Sequence, residues 1–262
     1  MLRSVSSRAW VGSGDLAVSS GFVVGGTGLS PIVLRAIGPS LTTASGGVGA
    51  LLDPTLDVFD SSGALIASND NWRMTGSSDF SKGSRYEALQ PTEDRESAIA
   101  LDLPPGAYTA VVRGLNQTTG TAVAELYEFS DREANLSNAS VRGFLQTADD
   151  VLVVGLGLQG QRNATLILRA LGPSLTEHGI PNALSDPFLD LYDNNGVLLA
   201  SNNDWQEGPD QLSKAQAKTL GPKSALESAI SLERLPPGDY TAVLRGNNSA
   251  TGVGVLEVYD LR

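Results

Sequence analysis

The chain contains no cysteine and only one histidine among its 262 residues. Without cysteine it has no disulfide framework, no thiolate nucleophile and no zinc site built on thiolates. A hydrolase needs a nucleophile with a base that activates it, and His178 stands alone in the loop SLTEHGIPN. We therefore expect His178 to be a solvated loop residue and the protein not to be an enzyme.

Basic and aromatic residues are also scarce. Eighteen Lys and Arg residues against 29 Asp and Glu residues leave a net charge of −11, and aromatic residues make up 6% of the chain. A protein that binds a polyanion normally presents a basic face, so nucleic acid is not an expected partner. The acidic residues are numerous enough to supply a glycosidase pair, but few aromatic rings are present to form a sugar platform. Solubility explains the acidic surface, and binding of divalent cations is the alternative.

Long apolar runs are missing as well. No stretch approaches the roughly 18 consecutive apolar residues that a membrane-spanning helix needs. The first ten residues, MLRSVSSRAW, lack the apolar centre of a signal peptide. We expect any export signal to have been removed from the chain.

Glycine and proline are plentiful, with 29 and 13 residues, and no segment has the pattern of a long amphipathic helix. This composition favours short strands joined by turns. The segment TLDVFDSSGALIASNDNW (55–72) alternates apolar and polar residues on either side of a turn, and FLDLYDNNGVLLASNNDW (188–205) does the same. We predict an all-β fold with about seven to nine strands in each half of the chain.

The phrase LRAIGPSL (34–41) returns as LRALGPSL (168–175), 134 residues later. LPPGAYTAVVRG (103–114) likewise returns as LPPGDYTAVLRG (235–246). A period near 130 residues exceeds the roughly 20–50 residues of solenoid and propeller repeats, so each copy should be a domain. We predict two tandem homologous β-sandwich domains of jelly-roll type, residues 1–132 and 133–262, joined within the polar stretch 130–138.

The repeated phrase also contains an arginine among aliphatic residues. In the predicted strand PIVLRAIG, Arg35 alternates with Leu34 and Ala36 and therefore lies on the opposite face, beside apolar neighbours. A guanidinium in that position needs a carboxylate or several carbonyl groups. We predict a structural ion pair between Arg35 and Glu125, and the equivalent pair between Arg169 and Glu257.

Oxygen-bearing side chains gather around the repeated hairpin and suggest a calcium site. Asx residues also favour turns without any ion, so both interpretations stay open. The candidate calcium ligands are Asp57, Asp60, Asp70, Asp190, Asp193 and Asp204, with Asn69, Asn71, Asn202 and Asn203 beside them. Trp72 and Trp205 end the two hairpins, where each ring either caps the core or offers a surface for stacking a ligand.

The order of SSRAWVGSGD, VLRAIGPSL, ESAIAL and LPPGAYTAVVRGLNQTTGTAVAELYEF resembles a repeat module of large secreted and cell-surface proteins of environmental bacteria. The hairpin followed by LPPGAYTAVV is similar to the bacterial pre-peptidase C-terminal domain. The resemblance implies an exported, non-catalytic β-sandwich and transfers no catalytic residue.

On this basis we expect a structural protein of the cell exterior: a spacer, an adhesin segment or a subunit of a surface fibre that associates with itself or with other cell-surface proteins. The alternative is an accessory module that binds calcium or polysaccharide for a secreted hydrolase system.

Overall fold

The structure is a computed structural model that describes residues 1–41, 49–74, 80–81, 83–130, 136–146, 150–208 and 212–261. Its regular elements are almost all strands, as the sequence predicts. The first copy contributes eight described strands: β1 (Leu2–Val11), β2 (Val18–Val24), β3 (Ser30–Ile37), β4 (Pro54–Asp60), β5 (Leu65–Asn69), β6 (Ser97–Leu103), β7 (Gly106–Gly114) and β8 (Gly120–Glu128).

The second copy repeats this order. Its described strands are β9 (Leu136–Leu145), β10 (Leu152–Leu158), β11 (Ala164–Leu171), β12 (Pro187–Asp193), β13 (Leu198–Asn202), β14 (Ser228–Leu235), β15 (Gly238–Gly246) and β16 (Gly252–Asp260). The helix α1 (Lys214–Leu220) lies between β13 and β14. Ser213 precedes it as the N-cap residue and forms a capping box with Gln216. There the backbone N–H of Gln216 donates to Ser213 Oγ and that of Ser213 donates to Gln216 Oε1.

Each copy is a jelly roll. In the first copy the strands pair in the order β1-β8-β3-β6 in one sheet and β2-β7-β4-β5 in the other. The second copy has the equivalent orders β9-β16-β11-β14 and β10-β15-β12-β13. This arrangement confirms the predicted all-β, jelly-roll-like fold.

The two copies are joined by strand pairing. The edge strand β1 pairs antiparallel with β10, and β2 pairs antiparallel with β9. Two continuous runs of eight strands therefore pass through both copies, and a single residue pair between β1 and β9 links the runs into one 16-stranded sheet. One hydrophobic cluster contains buried residues from both copies. The predicted boundary between residues 132 and 133 lies outside the described residues, and independent folding of the two halves stays a prediction.

The contact between the copies has an internal two-fold pattern. Val5 lies opposite Leu156, and Ala139 lies opposite Phe22. Val5 and Ala139 are equivalent residues of the two copies, 134 positions apart, and so are Phe22 and Leu156. The duplicated strands therefore meet in equivalent registers. Such a contact has the self-complementary form of an interface between two identical subunits.

Trp10 and Phe144 are also equivalent residues, and they lie opposite each other where β1 meets β9. Their ring centroids are 6.0 Å apart, with the ring planes inclined at 57°. This spacing is typical of a tilted aromatic pair, which adds to the packing between the copies.

A second layer covers the outer face of one sheet in each copy. The described parts of the connections from β5 to β6 and from β13 to β14 pack there and form two small apolar clusters. The first cluster contains Val33, Trp72 and Phe80, and the second contains Ile167 and Leu212. No helix among the described residues is long and apolar enough to cross a membrane.

Candidate functional site

The repeated Gly-Pro-Ser corner of each copy is held by a buried glutamate. Glu227 has no exposed surface. Its Oε1 accepts hydrogen bonds from the backbone N–H groups of Gly172 and Ser174, both at 3.0 Å, and from Ser174 Oγ at 2.6 Å. Glu96 makes the equivalent contacts in the first copy. The acidic side chain therefore organises a turn at the end of β3 and of β11.

A serine next to each glutamate ties three segments together. Ser97 Oγ lies 2.7 Å from the carbonyl oxygen of Pro54, 3.0 Å from that of Asn69 and 2.9 Å from that of Asp70. The side-chain oxygen of Asn69 also accepts a hydrogen bond of 3.0 Å from the backbone N–H of Ala98. These contacts join the start of β4, the end of β5 and the start of β6. Asn69 was expected beside the candidate calcium ligands, whereas the structural roles of Glu96 and Ser97 were not predicted, although the repetition of ESAI at 96–99 and 227–230 marks them.

The predicted partners Arg35 and Glu125 lie together on adjacent strands. Arg35 Nε donates to Glu125 Oε2 at 2.6 Å, and its Nη1 donates to the carbonyl oxygen of Leu89 at 2.9 Å. The side chains are only 15% and 14% exposed. Tyr127 donates its hydroxyl to Glu125 Oε1 at 3.1 Å. Burial, followed by the charge of Glu125, raises the pKa of Tyr127 and favours this protonated donor.

The second copy has the same arrangement. Arg169 Nε donates to Glu257 Oε2 at 2.7 Å, and Nη1 donates to the carbonyl oxygen of Leu220 at 2.8 Å, at the end of α1. Arg169 Nη2 lies 2.8 Å from Tyr259 Oη. In both copies the arginine joins the sheet to the segment that covers it.

We expect Arg35→Met to lower the free energy of unfolding by about 2 kcal/mol, because it leaves Glu125 nearly buried without its cationic partner. Denaturant unfolding of the full chain measures this change. The control is Lys223→Met, which removes a pair with Glu177 whose side chains are 63% and 59% exposed, and we expect it to leave the free energy of unfolding nearly unchanged. Equal stability of Arg35→Met and the unaltered protein would contradict a structural role for the pair.

The candidate calcium ligands do not form one group. Asp57 Oδ2 accepts from Arg113 Nη1 at 2.9 Å, and its Oδ1 accepts from Ser68 Oγ at 2.7 Å. Asp60 caps its own turn by accepting from the backbone N–H and Oγ of Ser62, which lowers the pKa of Asp60. Asp190 and Asp193 have the equivalent positions in the second copy. Within the described part of the chain, no group of three or more His, Asp or Glu side chains is arranged to hold a metal ion.

Asp70 belongs to a different location, beside Asp53 at the start of β4. Oδ1 of each residue is buried and has no hydrogen-bond partner among the residues that the structure describes. Burial, followed by the charge of Asp70, raises the pKa of Asp53. The second copy repeats this feature with the buried and unpartnered oxygens Asp186 Oδ1, Asn203 Oδ1 and Asp204 Oδ1.

The tryptophans that end the hairpins pack against the protein. Trp72 is 9% exposed and lies edge-to-face with Phe80, with ring centroids 6.4 Å apart. The guanidinium carbon of Arg73 is 4.6 Å from the Trp72 ring centroid. Trp205 packs against the second small cluster, and its Nε1 donates to the carbonyl oxygen of Ser224 at 3.1 Å. Both rings therefore contact their own copy, and ligand stacking stays a prediction.

His178 lies at the end of a short 3₁₀ helix, Pro173–His178, and is exposed. Its neighbour Glu177 accepts a hydrogen bond from Lys223 Nζ at 2.7 Å, which lowers the pKa of Glu177. His178 is exposed, as the sequence predicts, but it lies in a short helical turn and not in an irregular loop.

No family model and no curated protein matches the chain. Among solved structures, tandem CBM51 modules of a family 98 glycoside hydrolase from Streptococcus pneumoniae are 8% identical, with 90% of this chain and 78% of that chain covered and a TM-score of 0.28. A structure of Sulfolobus Turreted Icosahedral Virus is 10% identical, with 96% and 87% covered and a TM-score of 0.27. Because these scores are low, the fold assignment rests on the strand order described above.

Proposed function

We propose that the chain is a non-catalytic structural protein of the cell exterior, which serves as a rigid spacer, an adhesin segment or a subunit of a surface fibre. The observation that carries this proposal is the pairing of β1 with β10 and of β2 with β9. Sheets that continue through both modules resist bending at the junction, because bending would break backbone hydrogen bonds and open a shared core. A spacer requires this stiffness.

The repeated motifs support the non-catalytic part of the proposal. Glu96, Ser97 and Arg35 are each engaged with the backbone or with a partner on a neighbouring strand. Their equivalents in the second copy make the same contacts. Duplication has thus preserved residues that hold the scaffold.

Solution scattering and unfolding of the full chain test the rigid form. We expect scattering from one rigid particle. In variants in which Trp10 and one hairpin tryptophan are replaced by Phe, we expect the fluorescence of the remaining Trp72 or Trp205 to change at the same midpoint as the far-UV circular dichroism of that variant. Separate midpoints, or scattering that requires two bodies moving independently, would overturn the rigid-spacer function. Turnover by this protein of any substrate in a panel of typical substrates of secreted hydrolases would overturn the non-catalytic part of the proposal.

A calcium-dependent accessory module is the second candidate function, and the unpartnered oxygens of Asp53 and Asp70 favour it. Ser97 holds the backbone next to both residues, so the two carboxyl groups are kept near each other. Calcium prefers carboxylate, amide and carbonyl oxygens, which are the groups available there and around Asp186 and Asp204. A bound cation would compensate for both the burial and the mutual repulsion of these carboxyl groups.

For this candidate we expect calorimetry to detect calcium binding with a dissociation constant on the order of 0.1–1 mM, as in extracellular modules. The double variant Asp53→Asn/Asp186→Asn should lose the signal, whereas Asp60→Asn/Asp193→Asn should retain it, because those residues cap turns. Binding should weaken as the pH falls through the raised pKa of Asp53, since the ion competes with the proton. Absence of binding at millimolar calcium would rule out this candidate.

A further inference from the structure

Exposed aliphatic side chains occupy equivalent positions in the two hairpins. Leu65 and Ile66 on β5 are 55% and 40% exposed, and Leu198 and Leu199 on β13 are 51% and 39% exposed. The residues in the preceding turns have changed between the copies, from Ser-Ser to Asn-Asn, whereas these four positions are aliphatic. Large aliphatic residues at matched exposed positions indicate a surface that is covered in the working state.

The two hairpins lie at opposite ends of the molecule. Among the described strands, β5 pairs only with β4 and β13 pairs only with β12, so each is the last strand of its sheet. The internal two-fold pattern that relates the copies also relates these two ends. The molecule therefore has two equivalent apolar ends, which we call the hairpin ends: residues 54–69 and 187–202.

We propose that the hairpin ends bind a second copy of this chain, so that molecules join end to end. This inference rests on the proposed structural function and assigns the contact surface. The pairs β1–β10 and β2–β9 show that two copies of this module already join at one edge, and the hairpin ends are the opposite edges. Because both ends present the same residue types, any two ends offer matching apolar surfaces to each other. Two such ends on each molecule produce an open chain of molecules.

The contact is expected to form mainly through side chains. A register shift interrupts the pairing of β4 with β5 between Ala67 and Leu65, and the same shift occurs between Ala200 and Leu198. A bulge of this kind twists an edge strand and limits backbone pairing with a further strand. The exposed leucines then supply the attraction.

The placement of the hairpin ends favours a second copy over a membrane surface as the occupant, because one flat membrane surface can cover only one of two ends that lie at opposite ends of the molecule. Asp60 and Asp193 cap the turns beside the aliphatic residues, and hydrogen bonds lower the pKa of both. The negative charge of these carboxylates opposes contact with anionic lipid and with another acidic copy of this chain alike. Between copies of a chain with net charge −11, the repulsion is screened by salt, so end-to-end association should increase with ionic strength.

Sedimentation and negative-stain electron microscopy of the full chain, at increasing concentration in low and high salt, test this inference. We expect chains of molecules that lengthen with concentration and with salt. The single variant Leu198→Glu should stop at dimers, and the double variant Leu65→Glu/Leu198→Glu should be monomeric with an unchanged melting temperature. The control Leu29→Glu alters a leucine that is 63% exposed in another loop, and its chains should be as long as those of the unaltered protein.

Two results would overturn the inference. Chains that persist in the folded double variant would show that another surface makes the contact, and monomers of the unaltered protein in every condition would show that no such contact forms. Neither result alters the rigid-spacer proposal, which depends on the unfolding and scattering measurements. Binding of the monomer to anionic vesicles, abolished in the double variant, would assign the hairpin ends to a membrane and also overturn the inference.

Discussion

Glu227→Ala is expected to lower the free energy of unfolding by about 4 kcal/mol, the largest effect of a single substitution that we predict. The substitution removes the acceptor for the backbone N–H groups of Gly172 and Ser174 and for Ser174 Oγ. Each donor that stays buried without a partner costs about 1–3 kcal/mol. The site is fully buried, so the missing side-chain volume adds a cavity.

Guanidinium unfolding measures this loss, and two variants control for it. Glu227→Gln retains an oxygen in the same place and should lose only about 1–2 kcal/mol, because the new NH₂ group faces the backbone N–H of Ser224. Glu233→Ala alters an exposed strand residue and should change stability by less than about 0.5 kcal/mol. If Glu227→Ala were as stable as Glu233→Ala, the buried glutamate would not be what holds the corner.

Gly172→Ala is expected to lower the free energy of unfolding by about 3 kcal/mol. A Cβ at this position would lie 2.1 Å from the backbone carbonyl oxygen of Leu184, so a backbone segment would have to move. The glycine of the repeated phrase is thus required by the close approach of two backbone segments.

The matched control is Gly143→Ala in β9. A Cβ there would have its nearest contact at 3.4 Å, with the side chain of Ala9, so we expect a change of less than about 1 kcal/mol. Both variants are compared by their denaturation midpoints, and an unchanged m-value would show that the native state alone is affected. If Gly172→Ala were as stable as Gly143→Ala, the two backbone segments could move apart at this corner without lowering the free energy of unfolding.

Local patterns predicted the hairpins and the arginine environment well. The alternation around Arg35 indicated that its side chain leaves the core face, and in the structure Ile32 and Leu34 are in the core while Arg35 lies under the covering segment. The partner Glu125 could be proposed because its own strand has the same alternation. Both inferences need only the two-residue period of a strand and the cost of an unpaired charge.

Individual side-chain partners were harder to predict. The aspartates of the hairpin look alike in sequence, but Asp57 pairs with Arg113, Asp60 caps a turn, and Asp70 lies beside Asp53. A carboxyl group can bond to a cation, a backbone N–H or a hydroxyl, and its choice depends on distances between segments far apart in the chain. The sequence contains no direct measure of those distances.

The sequence by itself determined that the protein is a duplicated, strand-rich chain with a repeated hairpin and a repeated arginine, because each of these follows from local periodicity or from comparison of the two halves. Only the tertiary structure decided that β1 joins β10 and that β2 joins β9. Strand pairing is made by backbone groups that are the same in every residue, so the neighbour of an edge strand depends on the shape and position of the whole sheet. The structural role of Glu227 was likewise visible only in the tertiary structure. It depends on contact with a corner of the chain that is more than 50 residues away in sequence.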